Sequence, residues 1–240
     1  MATLILVSGK ARRGKDTVAE YLKERYGYSV FHWADALREE LSKPMDISVT
    51  FSESSLKARV TINDVMVRDT ELARMVLYWM SEQKNSGAIS YSRSLDVQSK
   101  NGLNYYEETY SMKGHRMQGK DCVLMQWYGT EYRRNHFDKA YWVKRTVDSI
   151  RRALYDDQDV VIADTRFLNE IEAGRNIAEA DRVLLVRVER DHPIEDAERD
   201  EEHSSEMELN DYDGWHIVLK NDADIDSLKA TMDGHLKSMV

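Results

Sequence analysis

Towards both ends of the chain, short uninterrupted apolar runs alternate with stretches in which apolar residues return every three or four positions. The runs are Leu4-Ile5-Leu6-Val7 and residues 28–32, 159–163, 182–188 and 215–219, each of a length and composition that reads as a strand. Between them, Val18, Ala19, Leu22 and Tyr26 mark one helix face closed by Gly27, and residues 34–41 read as a helix capped by Asp35 and stopped before Pro44. Val143, Val147, Ile150 and Leu154 lie four, three and four apart; Leu168, Ile171 and Ile177 mark another helix; Ile225, Leu228, Met232, Leu236 and Met239 carry the last. This alternation predicts an α/β fold, a doubly wound five-stranded parallel sheet flanked by helices.

Between residues 45 and 120 the alternation breaks, which predicts a large helical and hairpin insertion into a core made of residues 1–44 and 121–240. Within it, Leu72, Met75, Val76, Trp79 and Met80 fall on one helical face and read as core packing, with Arg68 just ahead of that helix. Residues 90–97 alternate with period two, and Asn101-Gly102 is a hairpin signal before residues 103–112. Residues 121–134 then read as a helix with Val123, Leu124, Trp127 and Tyr128 inward, antiparallel to the helix that starts at Asp138.

The first strand runs into Gly9-Lys10-Ala11-Arg12-Arg13-Gly14-Lys15, and a helix follows at once. Glycines at this spacing let backbone N–H groups close around a polyphosphate, and the lysine reaches its outer phosphates. The helix N-terminus adds a positive field of its own. Strand, loop, lysine and helix in register make this a phosphate-binding loop, with Gly9, Arg12, Arg13, Gly14, Lys15, Asp16 and Thr17 as its nucleotide-binding residues. Where a Ser or Thr usually follows the lysine, the chain has Asp16, and the hydroxyl comes one residue later at Thr17. A carboxylate there repels phosphates unless a cation lies between them, so Asp16 is read as a Mg²⁺ ligand, the other reading being a base facing the acceptor.

With 240 residues the chain can form one α/β core with an insertion. Its 34 Lys+Arg against 43 Asp+Glu, a net charge of −9, speak against a sequence-independent nucleic-acid binder. Cys122 is the only cysteine and reads as a small core residue. No apolar stretch reaches membrane length and no leader follows Met1, so a soluble protein of a reducing compartment, the cytoplasm, is expected.

Such a loop serves kinases, ATPases and switch proteins alike, and other residues must decide between them. Asp164 follows the third strand where a carboxylate helps hold Mg²⁺, and Arg166 two residues on has the geometry to clamp an acceptor phosphate. Asp35 and Arg38, after the second strand, are placed to face an acceptor. Residues 189–206 have the composition of a lid, with Arg187 and Arg190 at its root and Arg190 able to meet the γ-phosphate on closure. Asn221, after the fifth strand, borders the adenine or simply turns the chain into the last helix.

The segments SGKARRGKDTVAEYL, LMQWYGTEYRRNHFDKAYWVKR, VVIADTRFLNEIEA, EEHSSEMEL and WHIVLKND resemble the phage deoxynucleoside monophosphate kinases of the T-even type, P-loop kinases whose loop shares the GKDT variant. The resemblance implies that Arg68, Gln126, Gly129, Thr130, Trp142, Asp164, Arg166 and Glu170 line the deoxynucleotide site. It implies ATP and Mg²⁺ as co-substrate and cofactor, and it allows a homodimer. Asp35-Ala36-Leu37-Arg38 departs from the family's small-residue-Pro-Leu-Lys pattern. Animal-type phosphomevalonate kinase shares the GKD loop and the DTR triplet; the GTEYRRNHFDKAYWV segment and the insertion count against it. The expectation is ATP-dependent phosphorylation of a 2′-deoxynucleoside 5′-monophosphate, with Lys15, Asp164, Arg166 and Arg190 as catalytic groups. The alternatives are a phosphomevalonate-kinase-like enzyme or an NTPase switch that binds a macromolecule through its insertion.

Overall fold

In the structure, a computed structural model that describes residues 1–52, 57–85, 91–100, 103–191 and 203–238, the chain opens with β1 (Thr3–Ser8), α1 (Lys15–Tyr26), β2 (Ser29–Phe31) and α2 (Asp35–Leu41). Next come β3 (Met45–Ser52), β4 (Lys57–Ile62), β5 (Val65–Val67), α3 (Thr70–Asn85), β6 (Tyr91–Lys100) and β7 (Leu103–His115). After α4 (Cys122–Gln126) and a π-helical run (Trp127–Arg134) follow α5 (Tyr141–Tyr155), β8 (Val160–Thr165), α6 (Leu168–Arg175) and β9 (Arg182–Glu189). The chain ends with α7 (Ser204–Met207), β10 (Ile217–Lys220) and α8 (Ile225–Ser238).

Two compact units result: Met1–Ala36 with Lys139–Val240, and Leu37–Asp138. The second is wider at both ends than the 45–120 stretch read from the broken alternation, because the end of α2, α4 and the π-helical run cluster with it.

The first unit holds a sheet of five parallel strands in the order β10-β9-β1-β8-β2. Its inner strands β1 and β8 are buried on both faces, as continuous apolar runs require, while the edge strand β10 alternates buried and exposed residues. On one face Ile5, Val7, Val161, Val186 and Leu219 pack against Val18, Ala19 and Leu22 of α1 and Leu228 and Met232 of α8. On the other, Leu4, Leu6, Val160, Ile162 and Leu185 meet Val143, Ile150 and Leu154 of α5 and Ile171 of α6. The predicted helix faces hold except at helix ends: Tyr26, the last residue of α1, and Leu168 and Ile225, each the first residue of its helix, are exposed, and Met239 lies outside the described residues. The last strand starts two residues later than read, at Ile217, because Trp215 packs edge-on against Tyr212.

The second unit is built on an antiparallel sheet, β5-β4-β3-β7-β6. The hairpin expected from residues 90–112 exists as the β6–β7 pair; its Asn101-Gly102 turn and Ser90 lie outside the described residues. Missing from the expectation were β3, β4 and β5, although Met45, Ile47 and Val49 alternate inward. On α3 the buried stripe is Leu72, Ala73, Val76, Trp79 and Met80; Met75, expected inward, is exposed because it falls outside that stripe. Val123 is also exposed, while Cys122 and Leu124 are buried, since the register of the short α4 changes as it enters the wider π-helical turn.

His115 on β7 is 9% exposed, packs edge-on against Trp79 at 5.0 Å, and its Nε2 has no hydrogen-bond partner among the described residues. Burial holds its pKa below the ordinary imidazole value. The unfolded chain therefore binds a proton at a pH where the folded chain does not. Stability should be unaffected by this residue above pH 6.5 and should fall as the pH drops below that value towards the depressed one. Urea denaturation of wild type and His115→Gln between pH 5 and 8 checks this: the difference between the two curves should change only on the acid side.

Candidate functional site

The loop after β1 is shaped by close approaches that only glycine permits. A Cβ on Gly9 would sit 2.6 Å from the carbonyl oxygen of Val188 in β9. Gly14 has φ 101°, and a Cβ there would lie 2.4 Å from Nδ2 of Asn221. That amide donates to the carbonyl of Arg13 at 2.9 Å, while the Asn221 N–H donates to the Glu189 carbonyl at 2.8 Å. Asn221 thus fastens the loop to the ends of β9 and β10. Arg12 takes the left-handed backbone conformation, φ 56°. Lys15 opens α1 with a buried side chain, and its Nζ donates to the Lys10 carbonyl at 3.4 Å.

Beside the loop opens a cleft of ≈ 880 Å³ lined by Arg12, Gly14, Lys15, Asp16, Thr17, Arg190 and Asn221, together with Lys229 and residues 223–226. Seven residues read from sequence as nucleotide-binding or lid-root groups therefore share one cavity. Arg13 joins them through its backbone, and Gly9 lies on the other side of the loop.

That other side is a small cavity, ≈ 10 Å³, with room for about one water molecule, lined by Ser8, Gly9, Lys10, Thr165, Arg166, Arg187, Ser205, Glu206 and Leu209. The turn after β8 is held by carboxylates. Asp164, buried, accepts the N–H groups of Trp33 at 2.7 Å and Ala34 at 3.1 Å with its two oxygens. Glu170, also buried, accepts those of Arg166 at 2.7 Å and Phe167 at 3.1 Å, closing the start of α6. The Arg166 side chain donates through Nη1 to the Ser205 carbonyl at 3.2 Å and to the Glu206 carboxylate. Glu206 accepts the Ala11 N–H with its second oxygen, at 3.1 Å.

Sequence reasoning did not single out Glu206, the last residue of the charged segment read as a lid. It named Arg187 only as the root of a lid. Arg187 lies opposite Ser8 in the sheet, donates to the Ser8 hydroxyl at 3.1 Å and lies 5.6 Å from the Trp215 ring centroid; burial lowers its pKa. Asp35 is the first residue of α2, and its carboxylate reaches back to the His32 N–H at 2.9 Å, so it staples the preceding turn where a cap was expected. Trp142 is buried in the first turn of α5, and its carbonyl accepts from the Thr146 hydroxyl. Of the segment read as a lid, residues 192–202 lie outside the described residues.

In the second unit, Arg68 is exposed just ahead of α3, whose N-terminus is capped by Asp69. Arg38 lies in α2, and Gln126, Gly129 and Thr130 lie where α4 passes into the π-helical run. The N–H of Asn135 reaches the carbonyl of Thr130, five residues back. Arg133 anchors the run: its guanidinium pairs with Glu40, bonds the Tyr128 hydroxyl and lies 5.2 to 5.5 Å from the rings of Tyr128, Tyr132 and Phe137. Burial, with Glu40 beside it, pushes the Tyr128 hydroxyl well above an ordinary phenol.

Among the described residues no three His, Cys, Asp or Glu side chains cluster as a preformed metal site, and no helix is long and apolar enough to cross a membrane. A glycine-lysine loop at the C-terminal end of the central strand of a five-stranded parallel sheet, opening on a cleft that the following helix borders, defines the P-loop class of phosphate-binding proteins. Within that class the chain belongs to the deoxynucleotide monophosphate kinase family, whose profile matches residues 3–232. It is 24% identical over 246 residues to the deoxynucleotide monophosphate kinase of Enterobacteria phage T4, covering 98% of each chain. It is 24% identical over 263 residues to that of Escherichia phage RB69, covering 98% of this chain and 99% of the relative.

Gly14→Ala should force the loop away from Asn221. Nucleotide affinity, measured by calorimetric titration, is expected to fall by at least about tenfold, the effect of losing one charge-assisted bond. An unchanged affinity would mean that this contact does not shape the loop.

Proposed function

We propose that the protein transfers the γ-phosphoryl of ATP to a 2′-deoxynucleoside 5′-monophosphate and releases the diphosphate. Beyond family membership, the observation that carries this reading is that one loop borders two cavities: the wide cleft with Lys15, Asp16 and Arg190 on one side, the arginine-lined cavity with Arg166 and Arg187 on the other. A donor polyphosphate in the cleft and an acceptor phosphate drawn to Arg166 and Arg187 would flank that loop, and the small cavity, which has room for about one water molecule, has to widen to admit the acceptor.

In this reading the loop amides and Lys15 hold the β- and γ-phosphates, and Arg190 stabilises charge on the transferring group with Arg12 or Arg13. Arg166 clamps the acceptor phosphate. Asp164 and Glu170 act through the backbone they hold, which fixes the turn carrying Arg166. The acceptor oxygen is an anion at neutral pH, so positioning and electrostatics carry the reaction without a strong base. Asp16 and Thr17 both line the cleft and fit a Mg²⁺ bound mainly through phosphates and water; Asp164, with both oxygens engaged, fits it less well. Bound there, Mg²⁺ would offset the charge of Asp16 and the phosphates. Arg38, Arg68, Gln126, Gly129, Thr130 and Trp142 are assigned to the acceptor through the family resemblance.

The test is turnover of Mg-ATP with dAMP, dCMP, dGMP, dTMP, GMP and mevalonate 5-phosphate, each alone, following ADP and the phosphorylated product. Diphosphate should form from at least one deoxynucleotide; turnover with phosphomevalonate only, or ADP release without acceptor, overturns the reading. Lys15→Ala should lower kcat by roughly 10² or more, with the fold retained by circular dichroism. Arg166→Ala should lower kcat/KM for the acceptor by about tenfold or more and leave ATP affinity within about twofold; equal losses in both would move Arg166 to the donor side.

A further inference from the structure

We infer that Glu206 is a positioning residue that ties the guanidinium of Arg166 to the phosphate-binding loop, so that one buried carboxylate sets the donor and acceptor halves of the transfer site against each other. The inference rests on the reading of Arg166 as an acceptor-phosphate ligand.

The Glu206 side chain is 2% exposed and that of Arg166 17%. A carboxylate buried this deeply must have its charge and lone pairs matched, and the two oxygens of Glu206 divide the task. One takes Nη1 of Arg166; the other takes the Ala11 N–H, in the loop between Gly9 and Gly14. The neighbouring Ser205 carbonyl accepts from the same Nη1, so α7 holds that nitrogen with two acceptors. The Nε and Nη2 of Arg166 make no bond among the described residues, which leaves the fork the two donors a phosphate needs for bidentate capture. Two residues on, Glu208 accepts the Leu168 N–H at 2.9 Å, so the α7 segment also grips the turn that carries Arg166.

The charges agree with this division. The small cavity is lined by three cations, Lys10, Arg166 and Arg187, and one anion, Glu206, a net of two positive charges. Arg187 has no carboxylate within ion-pair distance among the described residues; its guanidinium bonds the Ser8 hydroxyl and lies near the Trp215 ring. Glu206 therefore fixes the orientation of one arginine without neutralising the cavity.

The test is a double-mutant cycle read by steady-state kinetics, using wild type, Glu206→Gln, Arg166→Ala and the double variant, with Glu206→Asp alongside. A glutamine amide can satisfy Arg166 or Ala11 but not both, since one of its ends donates. Glu206→Gln should therefore lower acceptor kcat/KM by about tenfold or more, and in the Arg166→Ala background the same change should have less than about twofold effect. Glu206→Asp keeps the charge but is too short to span both partners, and should fall between the two; if the Gln variant does not fold, the Asp variant carries the cycle. If Arg166→Ala leaves acceptor kcat/KM unchanged, the reading of Arg166 fails and the inference with it. If Arg166→Ala is impaired but the Glu206 effect multiplies independently, Arg166 stands and the positioning role is overturned.

Discussion

Backbone N–H groups at the C-terminal edge of a parallel sheet have no strand to bond, and in this protein carboxylates satisfy them. Asp164 takes two, at Trp33 and Ala34; Glu170 takes two, at Arg166 and Phe167; Glu206 takes Ala11, Glu208 takes Leu168 and Asp222 takes Asp191. A hydrogen bond to a charged group contributes about 1.5–3 kcal/mol, and leaving a buried donor unmet costs a similar amount. Lys15 lines the cleft on one side of the phosphate-binding loop, Arg166 and Arg187 the cavity on the other. Loop geometry and charge geometry meet at Glu206, which accepts the Ala11 N–H and binds the Arg166 guanidinium at once.

The second unit meets a comparable demand with aromatic rings. A π-helical run has a wider turn than an α-helix and weaker internal packing, so it persists only where neighbours over-determine it. Arg133 supplies that hold through Glu40, the Tyr128 hydroxyl and three ring faces, each cation–π contact contributing on the order of 0.5–1 kcal/mol. Gly129 and Thr130 sit inside the run, in backbone that an α-helix could not reproduce. A sequence scan for helical periodicity sees residues 121–134 as one helix, because a π turn shifts the buried face by less than one residue per turn.

The parallel sheet was legible because its strands carry continuous apolar runs and its first turn carries a motif whose glycines have no substitute: Gly9 against Val188 and Gly14 against Asn221. The antiparallel sheet was less so. β3 alternates Met45, Ile47 and Val49 with polar residues, a weaker signal than a run, and its partner β4 begins at the charged Lys57. Asp164 and Arg166 were singled out by type and position and Glu170 through the family resemblance, but what the two acids do, bonding backbone donors far along the chain or next to themselves, is a property of the folded turn. Glu206 was invisible for a related reason: an acid in an acidic stretch differs from its neighbours only once an N–H and a guanidinium have been brought to it.

The overall charge of −9 sets the background against which this arrangement has to hold polyphosphates. Screening confines the influence of exposed charges to about 8–10 Å at ordinary ionic strength, so acids on the distant surface subtract little from the field at the loop. Inside that radius the acids whose bonds are traced above direct their oxygens at backbone amides, whose dipoles already offset part of the charge. The cations beside them are half-buried or buried, where Coulomb interactions are stronger than in water, and burial, helped by the nearby charge of Arg13, lowers the pKa of Arg187. A phosphate arriving at that guanidinium would relieve an existing desolvation cost as well as forming a new bond. An acidic protein can bind polyanions under these conditions because cations such as Lys15 and Arg187 sit where the dielectric is low, while Asp164, Glu170 and Glu206 engage at least one oxygen each with backbone N–H groups.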